Sequence, residues 1–399
     1  MPAKSPILPV SVTSSAISAA LVGFAGSVAL VLEAARAVGA DANQATSWVV
    51  ALCVAIAVTT LYLSVRHRMP IVTAWSTPGA AVIAAGGVGM GINEAVGAFV
   101  VTSLLIIATA LLRPLGHLVE RIPKPVAAAM LAGILLPFCV NVALEVPALP
   151  FLVLLLVGVF FLSQLWSQTL GVPIILVLGI VVAAASGLID QSCCTLKISH
   201  VGAVMPEFRL QSVVGLALPL YIVTMASQNI AGLAVLKADG YSPAPRSCFG
   251  STGFASLLAA PFGGHGVCLA AITASICTGP AVHPDNAQRW RVGPVYAVCY
   301  IVFALFSESM VELLLALPVA LITTFVGLAL FGPLVGSLNT ALAGNSIETK
   351  AAVVTFVVAA SGVSFAGVGS ALWSLMAGLG ILALHHLLDR SHRPNAGDG

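Results

Sequence analysis

The chain has 399 residues, of which 59% are hydrophobic and 8% charged, with a mean hydropathy of +1.07. A soluble domain carries roughly 25% charged residues, so no soluble domain of useful size fits here and a polytopic α-helical membrane protein is indicated. The net charge of +2 is too small to point to a nucleic-acid partner.

The first apolar run, residues 16–32, is followed by Val38-Gly39-Ala40 ahead of Asp41, a sequence like a signal-peptidase site. The run is longer than a usual signal core and Lys4 alone is a weak basic flank, so it is read as a retained first span. Hydropathy gives fourteen candidate spans in all, centred near residues 24, 57, 80, 102, 132, 155, 180, 223, 254, 270, 299, 325, 357 and 378. Span 3 is interrupted in Ala74-Trp75-Ser76-Thr77-Pro78-Gly79-Ala80-Ala81, and span 10 in Pro261-Phe262-Gly263-Gly264-His265-Gly266. Lipid cannot hydrogen-bond the backbone groups that such breaks release. A matched pair of broken spans points to the substrate site of a transporter built from inverted repeats.

With the N-terminus in the cytoplasm, thirteen of the sixteen Lys and Arg residues fall inside: Lys4, Arg66, Arg68, Arg113, Arg121, Lys124, Lys237, Arg246, Arg289, Arg291, Lys350, Arg390 and Arg393. Only Arg36, Lys197 and Arg209 fall outside. This asymmetry predicts that both termini are cytoplasmic. The halves echo each other: Pro125-Val126-Ala127 and Pro318-Val319-Ala320 are 193 residues apart, Val119-Glu120 and Val311-Glu312 are 192 apart, and Pro78 and Pro261 are 183 apart. Seven spans per half is an odd number, so residues 1–205 and 206–399 are expected as repeats inverted in the membrane.

Cys53, Cys139, Cys248, Cys268, Cys277 and Cys299 lie in apolar runs and read as small packing residues. Cys193 and Cys194 are adjacent in a polar loop, where two thiols are favoured over a strained disulfide. No cysteine or histidine spacing suits a metal, and no cofactor is expected. Glu33 with Arg36 reads as an interfacial pair, Asn93-Glu94 as the cap of span 4, and Glu308 and Glu312 as structural groups near the outer interface. His385 and His386 are expected at the cytoplasmic interface, and Gly327, Gly332 and Gly336 at close helix contacts or in a flexible span 12.

The segment Pro70-Ile71-Val72-Thr73-Ala74-Trp75-Ser76-Thr77-Pro78-Gly79-Ala80-Ala81, the Pro261–Gly266 segment and the whole-chain layout resemble the benzoate/proton symporter family (BenE). The resemblance implies a fold similar to the uracil and nucleobase transporters. It implies 7+7 inverted repeats, a core domain of about 11–113 with 210–307, and a gate domain of about 114–205 with 308–390. It also implies short antiparallel strands in spans 3 and 10, with substrate held between them and span 8. Proteins of that fold often dimerise through the gate, so a homodimer is admitted, although no motif demands one.

One departure matters. Nucleobase transporters place a glutamate in span 8 and another after the break of span 10; Gln228 and Gly264-His265 stand there in this chain. A site without carboxylates suits an anion such as benzoate better than neutral uracil. The expected site is Ser76, Thr77, Pro78, Gly79, Gln228, Asn229, Phe262, Gly263, Gly264 and His265, with half-helix N–H groups holding the carboxylate. Trp75, Phe262, Phe24 or Tyr221 would pack on the ring. His265 is the first choice for the coupling proton, because an imidazole titrates near about pH 6.5, and Glu94 is the second. The partners are then an aromatic carboxylate, protons and the lipid bilayer. Alternatives are a transporter of a nucleobase or another anion, an integral-membrane enzyme, for which no reactive constellation is present, and a channel.

Overall fold

The computed structural model of the chain describes residues 9–112, 122–167, 170–188, 197–365 and 368–391. Lys4, Arg113, Val119, Glu120, Arg121, Cys193, Cys194 and Arg393 lie outside the described residues, as do the readings made on them.

The first half runs α1 (Val10–Ala25), α2 (Val28–Ala37), α3 (Ala42–His67), β1 (Thr73–Trp75), α4 (Thr77–Gly86), α5 (Ile92–Leu111), α6 (Lys124–Leu144), α7 (Pro150–Gln164) and α8 (Gly171–Ala185). The second runs α9 (Leu210–Ala238), α10 (Pro245–Ala259), β2 (Val267–Leu269), α11 (Ile272–Thr278), α12 (Val292–Leu315), α13 (Val319–Leu342), α14 (Ser346–Ala360) and α15 (Ser370–Ser391). A hydrocarbon core about 30 Å thick needs about 20 helical residues. Among the described residues, eight stretches meet that length and apolarity: Val10–Ala37, α3, α5, α6, α9, Asn286–Leu315, α13 and Ser370–Leu388. The shorter α4, α7, α8, α10, α11 and α14 lie near the remaining expected centres.

Local chemistry sets several boundaries. Asp41 and Gln44 cap the start of α3 reciprocally, at 2.8 and 3.0 Å, and Asn345 with Glu348 does the same for α14. Ser76 caps α4, and Pro78 sits in its first turn, where a missing N–H costs nothing. Span 1, expected as one helix, is interrupted at Gly26-Ser27, where Ser27 leaves helical geometry at φ −152°, ψ 1°. Within α9 the helix widens to π geometry over Val213–Ala217 and Thr224–Asn229. Such widened turns occur frequently at functional sites.

The short antiparallel strands expected at the breaks are present: Thr73 pairs with Leu269, Ala74 with Cys268 and Trp75 with Val267. The second break, however, lies further along than Pro261. Pro261 belongs to a single 3-10 turn that ends at Phe262, the strand follows at Val267, and the helix restarts at Ile272. The pairing of Pro78 with Pro261 is therefore replaced. β1 and β2 begin 194 residues apart, and the residues preceding α6 and α13, Pro123 and Pro318, are 195 apart. At that spacing Pro78 corresponds to Thr273.

The helices pack in two groups. In one, α3 lies along α12, α5 along α10, and α2 along α4. In the other, α6 is packed by α13 and α14, and α14 by α15. Of the three glycines singled out in span 12, Gly327 makes a close contact, with Phe138 and Val142 against it, whereas Gly332 and Gly336 face open space.

Candidate functional site

A two-stranded sheet inside a bilayer has two outer edges that water cannot reach, and an unpaired backbone group there is costly. Here side chains of the surrounding helices supply the partners. On the β1 edge, the N–H of Thr73 donates to Thr60 Oγ1 at 3.0 Å and its carbonyl accepts from the Tyr296 hydroxyl at 3.2 Å. On the β2 edge, the N–H of Val267 donates to Ser256 Oγ at 2.8 Å and that of Leu269 to Asn229 Oδ1 at 3.0 Å. Asn229, expected to line the substrate site, is fully buried and spends its carbonyl oxygen on this edge. Its amide nitrogen meets only the Met225 sulfur, at 3.2 Å.

The two breaks are tied to each other and to their neighbours through Ser76. Ser76 Oγ accepts the N–H of Gly79 at 3.1 Å and bonds Thr224 Oγ1, in the second π turn of α9, at 2.8 Å. The Ser76 carbonyl lies 3.0 Å from His265 Nε2, and His265 Nδ1 lies 3.0 Å from the indole nitrogen of Trp48. Gly263, with φ +90°, makes the turn that carries His265 there, and its Cα side faces Trp48 so closely that a Cβ would approach the indole to 3.3 Å or less. Gly264 is buried in the same turn, and Phe262 is half-buried at its start.

Thr77 and Gln228 are half-buried, and neither side chain hydrogen-bonds to protein. Gln228 lies four residues beyond Thr224, on the same side of α9, so its amide follows the contact with the α4 cap. The expected supply of free N–H groups is smaller at α4 than foreseen. Ser76 takes those of Gly79 and Ala80, and Pro78 has none. No side chain caps α11, and the Thr273 hydroxyl in its first turn is buried without a hydrogen-bond partner.

The aromatic candidates separate. Phe24 and Trp75 join Tyr300 and Phe303 in one cluster, with centroids 5.4 Å (Phe24–Trp75), 4.6 Å (Phe24–Phe303) and 6.3 Å (Trp75–Tyr300) apart. The Trp75 indole donates to Ser27 Oγ at 2.6 Å, which joins the interruption of span 1 to β1. Gly23 places this cluster beside α11: a Cβ on it would lie 2.9 Å from the Tyr300 hydroxyl and 3.2 Å from the Thr273 methyl. Tyr221 is elsewhere, bonded to Thr109 of α5.

Asn93 and Glu94 do not cap α5. Asn93 donates to the carbonyl of Met205 at 2.9 Å, and Glu94 holds Arg209 at 2.9 Å and accepts from Ser212 at 2.8 Å. Both tie down the segment that joins the two halves. Glu308 and Glu312 do the same, through His200 and Lys197. Glu33 and Arg36 form the expected pair, loosely, at 3.9 Å, and His385 and His386 are exposed at the end of α15. Sequence reasoning missed Thr60, Ser256, Thr224, Tyr296 and Trp48; each acts on a partner distant in sequence. Among the described residues no cluster of His, Cys, Asp or Glu could hold a metal.

Comparison with known proteins agrees with a transport function. Residues 6–384 match the family model described as BenE, benzoate membrane transport protein. The chain is 39% identical over 360 residues to the inner membrane protein YdcO of Escherichia coli, covering 90% of this chain and 92% of that one. It is 30% identical over 378 residues to the benzoate membrane transport protein of Acinetobacter baylyi, covering 95% of both. Solved structures share the fold at low identity. An SLC26A9 structure superposes with a TM-score of 0.65 at 12% identity, over 94% of this chain and 65% of that one. The transmembrane domain of the cyanobacterial bicarbonate transporter BicA gives 0.60 at 16%, over 93% and 97%.

Proposed function

The chain belongs to the BenE family of membrane transporters, and from that premise we propose that it imports benzoate or a similar aromatic carboxylate by proton symport across an inner membrane. The observation that carries the substrate class is the open first turn of α11 with the unpartnered Thr273 hydroxyl, at a site that lacks a carboxylate. Open N–H groups at a helix start and a free hydroxyl suit an anion. The aromatic cluster of Phe24, Trp75 and Tyr300 lies next to Thr273, so a flat ring has apolar surface beside the place where its charge is held. Thr77 and Gln228 supply neutral donors from the other break.

In this reading all fourteen helical segments are spans, arranged as inverted repeats of residues 1–205 and 206–399 with both termini cytoplasmic. The constant spacing of about 194 residues supports it. The packing group of α1–α5 and α9–α12 is the core, the group of α6–α8 and α13–α15 is the gate, and the two move against each other. The proton is assigned to Glu94. Protonation neutralises it and loosens its hold on Arg209, whose positive charge then favours entry of the substrate anion. His265, the first choice from sequence, has both ring nitrogens occupied.

The test is uptake of radiolabelled benzoate into proteoliposomes with and without an imposed pH gradient, with bicarbonate, uracil and other aromatic acids as competitors. Accumulation above equilibrium only with the inside alkaline, competed by aromatic acids, is expected. Competition by bicarbonate alone would replace the aromatic carboxylate with an inorganic anion.

A further inference from the structure

An indole nitrogen only donates hydrogen bonds. Trp48 Nε1–H therefore gives its proton to His265 Nδ1, at 3.0 Å, and that nitrogen must be the acceptor. The ring proton is then on Nε2, which donates to the carbonyl of Ser76 at 3.0 Å. Both nitrogens are used, and the pair of partners specifies one neutral tautomer. A second proton on Nδ1 would set two N–H donors head to head between groups that are 0% and 1% exposed. The rings around the imidazole, Trp48 at 5.8 Å and Phe99 at 6.4 Å, offer no charge to balance it.

The other end of the chain of bonds is the cap of α4. The Ser76 carbonyl accepts from Ala80 N at 2.8 Å and from His265, so both lone pairs are engaged. Ser76 Oγ is fixed between Gly79 N and Thr224 Oγ1. Trp48, His265, Ser76 and Thr224 thus form one buried line from α3, through the turn before β2, to the start of α4 and the π turn of α9. Thr77 and Gln228, the half-buried polar residues of the site, flank its last two members.

We propose that His265 is a positioning residue, locked by Trp48 as the neutral Nε2–H tautomer, that holds the Ser76 carbonyl and thereby sets the first turn of α4 against α9. It orients substrate-binding groups and carries no proton in the transport cycle. The transport readouts below rest on the function proposed above; the spectroscopic one does not.

The decisive measurement is 15N NMR of the full-length protein labelled in histidine, with His265 assigned by its loss in His265→Gln. Wild-type His265 is expected to show protonated Nε2 and bare Nδ1 throughout roughly pH 5 to 8, where an unconstrained imidazole titrates. In Trp48→Phe, which frees Nδ1, the same signals should mix tautomers and titrate. In proteoliposomes, His265→Gln can still accept from Trp48 and donate to Ser76. It should raise the KM for benzoate about 3- to 10-fold, the effect of one weakened neutral hydrogen bond, and still accumulate benzoate on a pH gradient. Titration of His265 in the wild-type protein would overturn the proposal. So would a His265→Gln protein that exchanges benzoate by counterflow but no longer follows the gradient. If the wild-type protein moves no benzoate at all, the proposed substrate fails, and the tautomer measurement still decides the role of His265.

Discussion

Asn229 Oδ1 accepts the backbone N–H of Leu269 at 3.0 Å, so that a side chain from a π turn closes the open edge of a strand buried in the membrane domain. Removing the acceptor leaves a fully buried N–H unpaired, which costs about 1–3 kcal/mol. Asn229→Leu should therefore lower the melting temperature in detergent and depress uptake. Met225→Leu removes only the weak sulfur contact to the Asn229 amide and keeps a similar volume, so it should cost less than about 1.5 kcal/mol. Thermal unfolding of the two proteins side by side checks the order; equal losses would mean that the amide serves packing rather than the strand edge.

The same strand leaves no room on its α9 side. A Cβ on Gly232 would lie 2.7 Å from Leu269 Cβ and 2.8 Å from the carbonyl of Ala270. Overpacking of this kind typically costs about 1–3 kcal/mol, and here the displaced atoms belong to the break itself. Gly232→Ala should insert in the membrane but lose most of its benzoate uptake. Gly332→Ala, with nothing within 4 Å of the added methyl, should behave as wild type. The comparison requires surface expression and initial uptake rates.

Much of the architecture was legible because apolar length and proline position are local properties. The break at Ser76-Thr77-Pro78 could be read from a capping serine and a proline in the first turn, both of which act within four residues. The second strand could not: Val267-Cys268-Leu269 is an ordinary apolar triplet, and only its pairing with Thr73–Trp75, 194 residues away, makes it a strand. Pro261 and the glycines after it therefore drew attention to the turn before the strand. The interruption of span 1 was invisible to hydropathy because Gly26-Ser27 is small and flanked by apolar residues; the Trp75 indole that meets Ser27 lies 48 residues on. Asn93 and Glu94 read as a cap because they begin a helix, yet their partners Met205, Arg209 and Ser212 come from the connection between the halves.

The Trp75–Ser27 bond makes an asymmetric prediction. Trp75→Phe removes the donor and keeps an aromatic ring among Phe24, Tyr300 and Phe303, while Ser27 still donates to the carbonyl of Gly23 at 3.1 Å. The loss should be about 1 kcal/mol, the net worth of one neutral hydrogen bond. Ser27→Ala leaves the indole N–H buried without an acceptor, and an orphaned donor costs up to about 3 kcal/mol. Ser27→Ala, the smaller change in volume, should thus be the more damaging to thermal stability, and the reverse order would show that ring size dominates.

Glu94 offers the sharpest test of coupling. Its carboxylate joins Arg209 to α5 and accepts from Ser212, and it is 17% exposed; Arg209 also holds Glu207, which is 49% exposed. If a proton enters at Glu94, uptake rises as the external pH falls, because the protonated group releases Arg209 to the incoming anion. Glu94→Gln mimics the protonated state permanently and keeps an acceptor for Ser212. Benzoate counterflow should then persist, while net accumulation on an imposed pH gradient is lost and the rate no longer depends on external pH. Glu207→Gln weakens the same arginine's surroundings from the solvent side, where exposed pairs contribute little, and should leave accumulation intact. Gradient-driven accumulation retained in Glu94→Gln would remove the proton from this carboxylate.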